Sequence, residues 1–183
     1  MSELNTNVRV PETARVRLRP IEIADAQRIF EIWSDPEVMR YYDLAPLESL
    51  DDALLLVSAM VTELEQGLSV RWVIESTSDG RIIGSCGFRF THQFMSADIS
   101  FELAREAWHK GLMREALNAA IDHAYTHWNI NRIQAITALD NQGAVGLLDK
   151  LGFQQEGVMR QWGYWKDAFH DVRLFSRIRQ ATA

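Results

Sequence analysis

Apolar side chains recur along this chain with two different periods, and the points where one period gives way to the other mark its elements. Val16-Arg-Leu-Arg19 alternates and stops at Pro20, which reads as a short first strand. Asp25 opens a helix that carries Ile29, Phe30 and Trp33 on one face and ends near Asp35-Pro36. Val38 to Pro46 is a loop rich in aromatic and charged residues. Ser49 and Asp52 have the spacing of a capping box, and they begin a long helix with Leu54, Val57, Val61 and Leu64 inward, closed by Gly67. Val70 to Glu75 and Ile82 to Phe90 read as strands joined through Asp79-Gly80, a tight-turn pair. After a turn at Thr91 to Phe94, Ala97, Ile99, Phe101 and Leu103 alternate with Asp98, Ser100 and Glu102, the pattern of a half-buried strand.

Helical spacing returns from Lys110 to Trp128, where Met113, Leu117, Ala120, Ile121, Ala124 and Trp128 fall on one face. Arg132 to Ala138 is a strand, Asn141 caps a helix carrying Val145, Leu148 and Leu151 that stops at Gly152, and strands over 153–165 and 169–177 follow. Strand, helix and strand from 96 to 138 form a crossover whose two strands run parallel, while the meander before it is antiparallel. The fold expected is α/β (α+β), a mixed and mostly antiparallel sheet of about seven strands with flanking helices and one parallel βαβ unit. Residues 1–13 read as a loose N-terminal segment and 14–179 as a single domain.

Composition narrows the partners more than the fold. The 183 residues carry a formal net charge of −6, and no basic stripe stands out that would neutralise a nucleic-acid backbone. The single cysteine, Cys86, excludes an intrachain disulfide and reads as a small buried strand residue. No apolar run approaches a membrane span, and Met1 to Asn7 lacks the basic start and apolar centre of a signal peptide, so a cytoplasmic protein is expected. His123 and His127 stand one helical turn apart with no adjacent Glu and no third ligand, so no metal is expected. Nothing in the pattern separates a monomer from a homodimer.

One stretch points to chemistry. The helix after the Ser96 to Leu103 strand opens on His109, Lys110 and Gly111, with no Ser, Thr, Asp or Asn to accept its first N–H groups. Such a bare, positively polarised helix start, with Gly111 allowing close approach and Lys110 and Arg114 adding charge, is a seat for phosphate. In an α/β sheet a ligand lies beyond the carboxyl end of a strand, which here is Leu103.

Four patches together resemble the GNAT superfamily of acyl-CoA-dependent N-acetyltransferases, in particular the branch that includes the ribosomal-protein N-terminal alanine and serine acetyltransferases. They are Arg17-Leu-Arg-Pro20 with Asp25; Ile83-Gly84 with Gly87; Trp108-His-Lys-Gly-Leu-Met-Arg-Glu-Ala116; and Asn141 followed by Leu147-Leu-Asp-Lys-Leu-Gly-Phe153, Glu156-Gly157 and Asp171. The resemblance implies acetyl-CoA as cosubstrate. It puts the coenzyme diphosphate on the backbone of His109, Lys110, Gly111, Leu112, Met113 and Arg114, and the pantetheine arm along Phe101 to Leu103 as an added strand. Asn141 reaches the pantetheine in that family, a role compatible with capping its helix. The chain departs from the family at Trp108 and Met113 in the loop pattern, at Ala144 where Ser is frequent, and at Leu148, where many relatives have the Tyr that protonates the leaving thiolate.

The chemistry implied is transfer of acetyl to a primary amine. Holding an α-amino group of pKa about 8 neutral at pH 7 costs about 1.4 kcal/mol, against about 4.6 for a lysine, which favours the N-terminal amine of a protein or peptide. The expected base is Glu102, on the polar face of its strand beside the thioester, acting through water. The acceptor pocket is expected from Tyr41, Tyr42, Trp72, Trp165 and His170. A small-molecule amine as acceptor, and a non-catalytic acyl-CoA-binding module, are the other two readings.

Overall fold

The computed structural model of the chain describes residues 12–180. Seven strands form one sheet in the order β1-β2-β3-β4-β5-β7-β6, with β1 Val16–Pro20, β2 Ser69–Ser76, β3 Ile82–Thr91, β4 Ser96–Leu103, β5 Arg132–Ala138, β6 Gln154–Trp165 and β7 Ala168–Ile178. Every neighbouring pair is antiparallel except β4 and β5. Four α-helices accompany the sheet: α1 Ala26–Trp33, α2 Leu50–Glu65, α3 Leu112–His127 and α4 Gln142–Lys150. This is the mixed sheet with one parallel crossover that the periodicities predict. Residues 1–11 of the N-terminal segment lie outside the described residues, and Thr13 at its end is hydrogen-bonded to Val16 and Glu115.

The two sheet faces hold separate cores. On one, Val70, Trp72, Ile74, Cys86, Phe88, Ile99 and Leu103 pack against Leu117, Ile121 and Ala124 of α3 and Leu148 of α4. On the other, Val73 packs with Ile29, Ile32 and Trp33 of α1 and Ala53 and Val57 of α2. The middle strands β2 and β3 are covered on both sides, which is why they read as near-continuous runs rather than clean alternation. At Gly84 any Cβ would run into the Glu102 carbonyl and the Leu103 side chain, so only glycine lets β3 lie this close to the end of β4.

Helix boundaries follow local chemistry with one exception. Ser49 and Asp52 form the reciprocal capping box of α2. Asp25 does not cap α1. Its carboxylate instead receives two bonds from Arg19 and one from the Glu22 N–H, which fastens a single 3-10 turn to β1. The Arg19 fork outcompetes the cap because a bidentate charged pair is the stronger interaction.

Where α3 ends, His123 is 6% exposed against Trp72 and Trp128, and neither of its ring nitrogens has a hydrogen-bond partner. His127, stacked on it at 4.1 Å, is the titratable neighbour. Burial, helped by the charge of His127, pushes the His123 imidazole down from 6.5 to about 4. The folded chain therefore holds His123 neutral where the unfolded chain protonates it. Its contribution to stability is complete above about pH 6.5 and fades as the pH falls toward 4. Between pH 7 and pH 5 this chain should lose about 2 kcal/mol more than His123→Phe in urea melts. Parallel curves for the two proteins would contradict the assignment.

Candidate active site

β4 and β5 part company early. Their parallel register runs only over Ser96↔Arg132, Ala97↔Ile133 and Asp98↔Gln134, after which β4 continues to Leu103 and β5 to Ala138 unpaired with one another. Ala104 donates to the Ile83 carbonyl, so by strand alternation Glu102 and Ala104 face β3 with their backbone groups while Phe101 and Leu103 turn theirs into the gap. The gap thus offers unpaired N–H groups to an extended ligand.

The gap leads to the start of α3. Gly111 is its N-cap in the left-handed conformation, with φ 75°, and makes no side-chain cap bond. His109 is also left-handed, at φ 60°, so the chain coils tightly around Lys110. Among the described residues no side chain accepts the N–H groups of Leu112, Met113 or Arg114. His109, Lys110, Gly111 and Arg114 are exposed, whereas the Met113 side chain is buried and leaves only its backbone to a ligand. The Trp108 indole donates to the Leu103 carbonyl at 2.7 Å, which ties this loop to the strand end. These groups fit a diphosphate: convergent N–H donors, two cations, and a glycine that admits close approach. On the far side of the gap, Asn141 accepts from the Ala144 N–H at 3.1 Å, so it does cap α4, and its Nδ2 stays available to a ligand.

Glu102, the expected base, is a buried carboxylate paired with an arginine. It is 6% exposed, and its oxygens take donors from Arg71, Ser85 and, at 2.8 Å, the Tyr42 phenol. Arg71 is equally enclosed: it also reaches Ser100 at 2.7 Å and lies over the Trp33 ring at 5.5 Å. Burial, together with the negative charge of Glu102, raises the Tyr42 phenol well above its ordinary 10, so it stays protonated. A cleft of about 190 Å³ between α2 and the sheet, walled by Leu56, Met60, Glu63 and Arg89, ends on Arg71 and Ser100. Arg71 is therefore approached from the α2 side.

The structure brings most of the expected acceptor residues to one place and removes one. Tyr42 meets Glu102, and the Tyr41 hydroxyl lies 3.5 Å from the Asp140 carbonyl beside Asn141. Trp165 and His170 stack at 4.1 Å at the end of the β6–β7 hairpin. From the same turn Lys166 donates to the Met39 and Tyr42 carbonyls, closing hairpin and loop together. Trp72 belongs elsewhere. It is fully buried on the opposite face, stacked on Trp128 at 5.7 Å, because alternation from Arg71 turns it toward α3. Arg71, Ser85 and Lys166 went unread in the sequence, although a charged residue inside the buried run Val70 to Ile74 is a signal that something must neutralise it.

Among the described residues no group of three or more His, Cys, Asp or Glu could hold a metal, and no helix is long and apolar enough to cross a membrane. The family model for the GNAT acetyltransferase domain matches residues 15–154. An uncharacterized N-acetyltransferase of Bacillus licheniformis is 34% identical over 173 residues, covering 93% of this chain and 97% of the relative. Among solved structures, the Salmonella typhimurium acetyl transferase that modifies the N-terminal serine of ribosomal protein L7/L12 superposes with a TM-score of 0.86 at 20% identity, covering 93% of this chain and 99% of that one. The spermidine N-acetyltransferase of Vibrio cholerae, in complex with CoA and spermine, gives 0.79 at 24% identity, covering 91% and 96%.

Proposed function

This chain belongs to the GNAT acetyltransferase family, and from that premise we propose that it transfers the acetyl group of acetyl-CoA to the N-terminal amine of a protein or peptide. One observation carries the reading: an unpaired gap between β4 and β5 that runs to an uncapped helix start. Acetyl-CoA supplies the activated acyl carbon. The chain supplies its placement, with the N–H groups from Gly111 to Arg114 and the charges of Lys110 and Arg114 on the diphosphate. Phe101 pairs with the pantetheine amides, and the N–H at Leu103, whose carbonyl is taken by the Trp108 indole, faces the thioester oxygen where negative charge develops. Asn141 Nδ2 closes the other side.

The acceptor nitrogen then attacks the thioester carbon: the C–N bond forms, the C–S bond breaks, and the thiolate leaves. Tyr42, kept protonated and oriented by Glu102, accepts a hydrogen bond from the amine, and Glu102 receives the amine proton only through that phenol. Tyr41, Trp165 and His170 wall the acceptor. Leu148 stands where many relatives have a Tyr and has no acidic proton to give, so protonation of the thiolate falls to solvent in this reading. An α-amine is the acceptor easiest to hold neutral, and the ribosomal-protein enzyme of the same fold acts on one. The reading places the enzyme in the cytoplasm.

A second acceptor class has its own support, since the spermidine enzyme shares the fold and the net charge of −6 favours a polycation. Mass spectrometry of a peptide and polyamine library incubated with acetyl-CoA decides between them. Acetylated peptide N-termini are expected. Acetylated polyamines alone would transfer the assignment to small amines, and coenzyme binding with no product of either kind would leave a non-catalytic module.

A further inference from the structure

Glu115 stands in the first turn of α3, so a carboxylate sits one turn from the place assigned to a diphosphate. Left alone it would repel that ligand and weaken the positive end of the helix for it. The structure does not leave it alone. Residues 13–15, almost at the opposite end of the chain, wrap it with donors: the Thr13 hydroxyl at 2.7 Å, the Arg15 backbone N–H at 2.8 Å, and the Arg15 guanidinium through Nε at 2.7 Å and Nη2 at 2.6 Å. Partial burial opposes the charged form of Glu115, yet these donors together hold its carboxyl below the usual range. The same guanidinium spends its remaining arm on the coenzyme loop, with Nη1 donating to the Lys110 carbonyl at 2.9 Å. Its Nη2 lies 3.7 Å from where a Cβ of Gly111 would be, which puts its charge beside the helix tip.

We infer that Arg15 is a positioning residue for coenzyme binding, which cancels the charge of Glu115 and pins the left-handed His109 to Gly111 turn in its phosphate-accepting shape. The inference rests on the coenzyme reading above and adds to it a residue outside the loop and helix that hold the ligand. The two functions of the guanidinium are separable by mutation, because the repulsion it suppresses vanishes when Glu115 is neutral, whereas the loss of its anchor on the Lys110 carbonyl, the smaller of the two effects, does not.

The test is calorimetric titration of coenzyme A into the full chain, its Arg15→Met, its Glu115→Gln and the double variant, with steady-state kinetics on an acceptor that the library identifies. Arg15→Met is expected to weaken coenzyme A binding about tenfold and to raise the KM for acetyl-CoA likewise, with kcat and the KM for acceptor unchanged. The deficit should shrink as salt is raised from 50 to 500 mM, on the order of a Debye length of 14 to 4 Å. The double variant should recover to within about threefold of the parent. Arg15→Lys, which keeps the charge and loses the fork, should fall between the two. An unchanged dissociation constant in Arg15→Met, or a double variant as weak as the single one, overturns the inference. Failure of the parent chain itself to bind coenzyme A overturns the reading it rests on, so the two failures are told apart by which protein shows them.

Discussion

Glu102→Gln should lower the stability of this protein by about 3–5 kcal/mol, a large share of the roughly 5–15 kcal/mol that holds a domain of this size together. The substitution keeps the shape of the side chain and removes only its charge, but that charge is what makes the burial of Arg71 tolerable. Arg71 is 8% exposed, its guanidinium is turned toward Glu102, Ser85 and Ser100, and Trp33 covers it. With Gln in place, the amide group also presents N–H to donors already there, and one hydrogen bond becomes a clash. Arg71→Met should cost a similar amount by stranding the carboxylate. The double variant Arg71→Met with Glu102→Gln should cost about 2–3 kcal/mol less than the sum of the single ones. Urea melts of the four proteins measure this directly, and simple additivity would show that the buried pair is not the unit described.

Gly111→Asp should abolish coenzyme binding while leaving the fold intact, with a loss in affinity of at least about 100-fold. Two effects add. The new carboxylate caps the N–H groups that the ligand needs, and its charge opposes the diphosphate at the same end of the helix. The cost to folding is small by comparison, about 1 kcal/mol for a non-glycine residue at φ 75°, since a Cβ there meets nothing nearer than the Arg15 guanidinium at 3.7 Å. Gly111→Ala separates the contributions: it carries the backbone strain without the cap or the charge, and should lose less than about tenfold in affinity. Calorimetry on the three proteins, with thermal melts as the control for folding, checks both expectations. Equal affinity in Gly111→Asp and the parent would show that the diphosphate is held elsewhere.

The features that were legible in the sequence are those set by neighbours in the chain. Alternation outlined β1 and β4, apolar runs beside a tight turn marked β2 and β3, Ser49 and Asp52 announced the α2 cap, and the absence of any capping side chain between His109 and Gly111 marked the helix start that the structure leaves open. Alternation also had the information that Arg71, Val73 and Glu75 share a face opposite Trp72. It carried no information about which face borders the gap, and so Trp72 was assigned to the acceptor pocket when it belongs to the core.

Long-range pairings escaped for the same reason. Nothing within ten residues of Glu102 reveals that a tyrosine from the α1–α2 loop and an arginine from β2 will meet its carboxylate, so the strand pattern offered a base working through water and not one enclosed by these partners. Asp25 looked like a cap because its spacing to the helix is right, but Arg19 across the strand end claimed it. The Arg15 to Glu115 and Lys166 to Tyr42 links span 100 and 124 residues, distances at which periodicity is silent. The local pattern located Glu102 and Asp25, and a partner outside that pattern decided the role of each.

The central claim, that the backbone at the start of α3 is the seat of a coenzyme diphosphate, is tested most directly by following amide resonances while coenzyme A is titrated into isotopically labelled protein. The account predicts saturable one-to-one shifts concentrated at Gly111, Leu112, Met113 and Arg114, with smaller ones at Phe101 and Leu103, and none at Gly111 to Arg114 when pantetheine, which lacks the diphosphate, is used instead. Coenzyme A that leaves those four amides unmoved would contradict it.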